Sequence, residues 1–136
     1  MKSLTVNASE DKLSEVLEFI GTELEAAGAS PKTQFQIDLA VEELYVNIVH
    51  YAYAPDTGDV IIKFNIDGEP PLAEILFIDQ GKPYNPLENP DPDITLTAED
   101  REIGGLGVLM VKKTMDVAVY RYENQKNIMT IKKSLH

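Results

Sequence analysis

A single apolar stripe near the middle of the chain limits the folds open to it. In "PKTQFQIDLAVEELYVNIVHYAY", residues 31–53, Ile37, Val41, Leu44 and Ile48 recur at spacings of three and four. They therefore share one side of an α-helix. A helix apolar on one side must bury it against a second layer. The next segments supply that layer. "VIIKFNI" (60–66) and "LAEILFI" (72–78) are β-branched, apolar runs, and the Asp67-Gly68 pair between them predicts a hairpin.

The flanks extend the pattern. "SLTVN" (3–7) predicts a first strand. After Ser9, apolar residues at 13, 16, 17, 20 and 24 predict a helix closed by Gly28. Ser30 is suited to an N-cap and Pro31 to the first position of the second helix, which is expected to run to about Tyr53. Residues 79–107, rich in Pro, Asp and Gly, are too long for an ordinary connection and predict a lid. "LGVLMVKKTMDV" then predicts a third helix packing through Val108, Met110, Val111 and Met115. "VAVYRYE" and "NIMTIKKS" predict a closing strand pair across "NQKN". Strands in one layer and helices in the other give a two-layer α/β sandwich, residues 1–136 forming one domain.

Composition excludes several function classes. The absence of cysteine removes thiol catalysis, disulfides and zinc–thiolate sites. No stretch approaches the ~20 apolar residues of a spanning helix, so a cytoplasmic protein with no membrane partner is expected. The net charge of −11 argues against nucleic acid. Residues 1–100 hold 5 Lys+Arg against 20 Asp+Glu, and residues 101–136 hold 7 against 3. An anionic ligand is therefore expected near the C-terminal third, or bound through a cation.

Three patterns carry chemistry. Gln36, Glu43, Asn47 and His50 cluster on the flank of the apolar stripe, with Glu43 and Asn47 one turn apart. A carboxylate there can take a proton from a hydroxyl, and an amide oxygen suits hydrated Mg²⁺; an E-x-x-x-N pattern alone is ordinarily a solvated helix edge. His50 reads as a packed or hydrogen-bonded structural residue. Asp79 ends a strand and precedes Gln80-Gly81, which suits a ligand amino group but also an ordinary Asx turn. Gly104-Gly105-Leu106-Gly107 opens the third helix, where exposed N–H groups suit phosphate. No Gly-Lys-Ser/Thr follows, so this is not a P-loop.

In order and spacing, "EELYVNIVHYAY", "FIDQGKPYNP" and "GGLGVLMVKKTMD" resemble the N box and the two glycine boxes of the GHKL ATPase superfamily. The resemblance covers nearly the whole chain. It is nearest to the stand-alone anti-sigma-factor serine/threonine kinases, through the His50–Tyr53 ending, "GKPYNP", Met115-Asp116 and "NIMTIKK". It implies the Bergerat fold, with about three helices on one face of a mixed, mostly antiparallel sheet. It further implies ATP/ADP and Mg²⁺ as cofactors, Asn47 as the metal ligand and Glu43 as the general base. Asp79 would take the adenine amino group with Gly81 beside the ring. Gly105, Leu106 and Gly107 would present N–H groups to the phosphates, residues 84–104 would form the lid, and Thr130 would join the adenine-side polar network. The implied substrate is a small anti-sigma-factor antagonist, with a sigma factor as regulated partner and a homodimer as the assembly. A nucleotide-gated module that sequesters a protein with little catalysis is the alternative.

Overall fold

The structure, a computed structural model, describes residues 1–53, 56–88 and 105–135, with Gly105 and Leu106 described by their backbone alone. Strand β1 (Lys2–Asn7) leads through a short 3₁₀ turn (Glu10–Lys12) into α1 (Leu13–Ala26) and α2 (Pro31–Asn47). Strands β2 (Asp59–Asp67) and β3 (Leu72–Asp79) follow, then a 3₁₀ turn (Pro86–Glu88), α3 (Gly105–Thr114), β4 (Val117–Glu123) and β5 (Lys126–Ser134).

Local chemistry sets the helix ends as expected. Gly28, after α1, takes the left-handed conformation with φ of 80°. Ser30 caps α2 by accepting a hydrogen bond from the Thr33 N–H at 3.2 Å, and Pro31 occupies the first turn. The end of α2 departs from a plain helix running to Tyr53. Residues Ile48–Ala52 form a wide π turn, a distortion that recurs at functional sites.

The five strands form one sheet in the order β1-β2-β3-β5-β4, and every described pairing is antiparallel rather than mixed. The β4–β5 loop is tighter than "NQKN". Only Asn124 and Gln125 turn, both with positive φ (52° and 62°), as a two-residue hairpin of right-handed twist requires.

The three helices cover one face of the sheet, giving the two-layer sandwich. Val16, Ile20 and Leu24 of α1, Ile37, Val41 and Leu44 of α2, and Val111 of α3 share one core with Ile62, Phe77, Met129 and Ile131 of the sheet. Tyr45 locks α2 to the end of β1. Its buried hydroxyl donates to the Ser9 carbonyl (2.7 Å) and lies 3.2 Å from both the Asn7 carbonyl and the Ser9 N–H. Val108 and Val111 of α3 and Met115 just beyond it are buried, but Met110 is not. At about 100° per residue, Met110 stands some 200° from Val108, off the packed seam. Among the described residues no helix is long and apolar enough to cross a membrane.

Candidate functional site

The end of α2, the exit of β3 and the start of β5 meet around a cavity of about 30 Å³. Leu44, Asn47, Ile48, Ala52, Asp79, Tyr84, Pro86, Tyr120, Asn127 and Met129 line it. The β3–β5 register explains how two of its polar groups meet. Asp79 pairs directly with Asn127, and both face the helices. Each is only 4% exposed.

The Asp79 carboxylate is held by two donors on one oxygen. The Gly81 N–H and the Asn127 amide each reach Oδ1 at 2.9 Å. Burial raises the Asp79 pKa above the ordinary carboxylate value, and these two hydrogen bonds oppose the rise. Oδ2 receives no hydrogen bond from the described residues and remains an acceptor for a ligand N–H.

Gly81 is fixed by backbone contact. A Cβ added there would fall 2.3 Å from the Ala52 carbonyl oxygen and 2.5 Å from its carbon. That close approach lets the Lys82 N–H donate to the same oxygen at 2.8 Å. The bond satisfies a carbonyl left free at the end of the π turn. Nearby, the Tyr51 and Tyr84 rings stack at 5.1 Å.

Asn47 and Glu43 sit together one turn apart. The Asn47 amide donates to the Glu43 carbonyl at 2.8 Å and to its carboxylate at 3.1 Å. Burial raises the Glu43 pKa, the bond from Asn47 opposes this, and the Glu42 charge adds to it. The Glu43 carboxylate also lies on α3: a Cβ at Gly107 would meet Glu43 Cδ and Oε2 at 2.1 Å. Glu43 does not line the Asp79 cavity. With Leu39, Glu42, Val46, Gly107 and Met110 it lines a separate groove of about 320 Å³ between α2 and α3.

The structure thus gathers Glu43, Asn47, Asp79, Gly81 and Gly107 around the junction of α2, β3 and α3. Gly105 and Leu106 are the first two residues of α3. Gly104 and residues 89–104 of the expected lid lie outside the described residues. The first lid residues, Tyr84 and Pro86, form part of the cavity wall. Thr130 is not brought to the site. In β5 the buried positions are 127, 129 and 131, so Thr130 faces the other side of the sheet. Asn127, opposite Asp79 in the β3–β5 register, lies beside Asp79 instead, a juxtaposition that no local pattern in the sequence reveals. His50 turns to Glu10 instead, with Nε2 2.8 Å from the carboxylate.

The donor set fits hydrated Mg²⁺. The Asn47 NH₂ is committed to Glu43, which leaves its amide oxygen as the free end at the cavity. No Lys or Arg lines that cavity among the described residues. Nor do the described residues include a group of three His, Cys, Asp or Glu able to hold a metal. One protein oxygen, with phosphates and waters for the rest, is the way Mg²⁺ is commonly held.

Residues 6–133 match the histidine kinase-like ATPase domain. Fourteen chains of solved structures match. One belongs to the crystal structure of the SiaB–SiaC complex from Pseudomonas aeruginosa, with 17% identity and a TM-score of 0.51 over 96% of this chain and 88% of that one. At that identity the likeness shows the fold. No curated protein matches.

Proposed function

This chain belongs to the histidine kinase-like ATPase family, and from that premise we propose that it is an ATP-dependent serine/threonine-protein kinase of the anti-sigma-factor type. Its substrate is a small anti-sigma-factor antagonist. The carrying observation is that Asn47 and Asp79 line one cavity, while Glu43 contacts Asn47 from an adjoining groove.

In this reading Asp79 Oδ2 accepts the adenine amino group. The backbone N–H groups at the start of α3 receive phosphate oxygens at the positive end of the helix dipole. Asn47 would hold Mg²⁺ through its amide oxygen, and the ion when bound supplies positive charge to the phosphates. The cavity as it stands is smaller than the roughly 300 Å³ or more that a nucleotide ordinarily needs, so its wall opens on binding. An acceptor protein reaches Glu43 through the groove between α2 and α3. Burial strengthens Glu43 as a base. It takes the proton of a Ser or Thr hydroxyl as that oxygen bonds to the γ-phosphorus. The bond to the β–γ bridging oxygen breaks, and ADP leaves.

The same reading takes residues 1–136 as one ATP-binding domain with residues 84–104 as its lid. It places the protein in the cytoplasm as a homodimer, with a sigma factor regulated downstream. A similar fold found in a two-protein complex supports a protein as the partner. Phosphotransfer tests the reading with a partner recovered by pull-down in Mg-ADP. Glu43→Ala is expected to abolish transfer while changing ADP affinity less than about threefold. Equal transfer by that variant would rule out Glu43 as base.

One observation favours a second reading, a nucleotide-gated sequestering module. The Glu43 carboxylate is held by Asn47 and lies on Gly107, outside the nucleotide cavity. Partner-stimulated ADP release without phosphate on the partner would establish that alternative.

A further inference from the structure

We propose that Asn127 is the positioning residue that makes this site select adenine over 6-oxopurine bases. The inference rests on the nucleotide reading above and deepens it by naming what fixes the base preference.

The Asn127 amide has its bonding capacity filled. Its NH₂ donates to Asp79 Oδ1 (2.9 Å) and the Lys82 carbonyl (2.8 Å), with the Gly81 carbonyl at 3.4 Å. Its oxygen accepts from the Tyr84 N–H (3.2 Å) and the Tyr120 hydroxyl. These partners settle which way the amide points. Reversed, its NH₂ would face the Tyr84 N–H, and its oxygen would face two carbonyls and a carboxylate. The donor end must therefore meet Asp79.

That orientation dictates what Asp79 offers a ligand. With Oδ1 receiving both the Gly81 N–H and the Asn127 NH₂, the carboxylate can neither swing nor profit from a proton on Oδ1. The oxygen left toward the cavity is an acceptor. It suits the exocyclic amino group of adenine and repels the 6-oxo group of hypoxanthine or guanine. Without Asn127, the buried Asp79 keeps only one donor and more readily takes a proton. A protonated Asp79 can donate to a 6-oxo group, so the preference weakens or inverts.

The test is the ratio of ADP to IDP affinity, measured by calorimetry with Mg²⁺ at neutral pH on the full chain. IDP replaces the 6-amino group by oxygen, with a proton on N1. The wild type is expected to prefer ADP by at least tenfold. Asn127→Ala is expected to weaken ADP about tenfold and change IDP less than twofold. Asn127→Thr, which keeps one hydroxyl donor and suits a strand, is expected to fall between the two. It carries the same prediction if the alanine variant unfolds. A parallel loss of both nucleotides, or an unchanged ratio, would overturn the proposal, since a merely structural role lowers both alike. A wild type that binds ADP and IDP equally also overturns it and leaves the nucleotide site standing. A wild type that binds neither refutes the nucleotide reading itself.

Discussion

Gly81→Ala separates two reasons for a glycine after Asp79. The sequence reading gives it to the ligand, as room for a ring. The structure gives it first to Ala52, whose carbonyl oxygen would lie 2.3 Å from the new Cβ. The clashing group is backbone at the end of the π turn, which has little freedom to move. Forcing one methyl into such a contact costs about 1–3 kcal/mol. Losing the Lys82–Ala52 hydrogen bond, now 2.8 Å, adds about 0.5–1.5 kcal/mol. The total is about 1.5–4.5 kcal/mol. Over 136 residues, an unfolding entropy of about 2.1 cal/mol/K per residue gives roughly 0.3 kcal/mol per degree. Tm of the nucleotide-free protein should therefore fall by about 5–15 °C, read by circular dichroism or calorimetry. An unchanged Tm with lost ADP binding would refute this reasoning and return the glycine to the ligand.

Two further substitutions probe the site and its support. Asp79 has a folded pKa raised by burial, so its stabilising contribution is full below the unfolded carboxylate pKa and is lost as pH rises through the folded value. Asp79→Asn keeps an acceptor for Gly81 and Asn127 without a charge. Its nucleotide-free Tm at pH ~7 is expected at or above wild type, the gap closing toward pH ~4, with ADP binding lost. A Tm below wild type at neutral pH would contradict the assignment. Tyr45→Phe removes the buried hydroxyl between α2 and β1, while the Ser9 N–H keeps its bond to the Asn7 carbonyl at 2.8 Å. Thermal melts should show a loss of about 0.5–1.5 kcal/mol, the net worth of one hydrogen bond, and no loss would show that water replaces the hydroxyl.

What the sequence disclosed follows from the range of the forces involved. Caps are local, so Ser30, Pro31 and Gly28 could be placed from their neighbours alone. The period-two runs of β2 and β3 with Asp67-Gly68 between them likewise contain their own pairing. The third helix runs Val108, Leu109, Met110 and Val111 in unbroken succession, so its packed seam is ambiguous in the sequence, and Met110 falls outside it. Glu43 and Asn47 were legible because a helix puts residues four apart in contact. Asn127 is not, because it falls where the "NQKN" turn and the "NIMTIKKS" strand overlap and carries no pattern of its own. Its importance comes from lying opposite Asp79 across a strand pair. Thr130 took its place in the sequence reading, and an odd shift of three along a strand exchanges one face of the sheet for the other. The π turn has no sequence period of its own. It became visible only with the Ala52 carbonyl that Lys82 satisfies.

Transfer of the γ-phosphate tests the kinase reading most directly. The chain is incubated with γ-labelled ATP, Mg²⁺ and the protein that it captures in Mg-ADP, and the label is then located. Label on a Ser or Thr of the partner, stable to acid and absent with Glu43→Ala, is the predicted result. Partner bound in the presence of nucleotide but left unlabelled, or acid-labile label on a histidine of this chain, would contradict it.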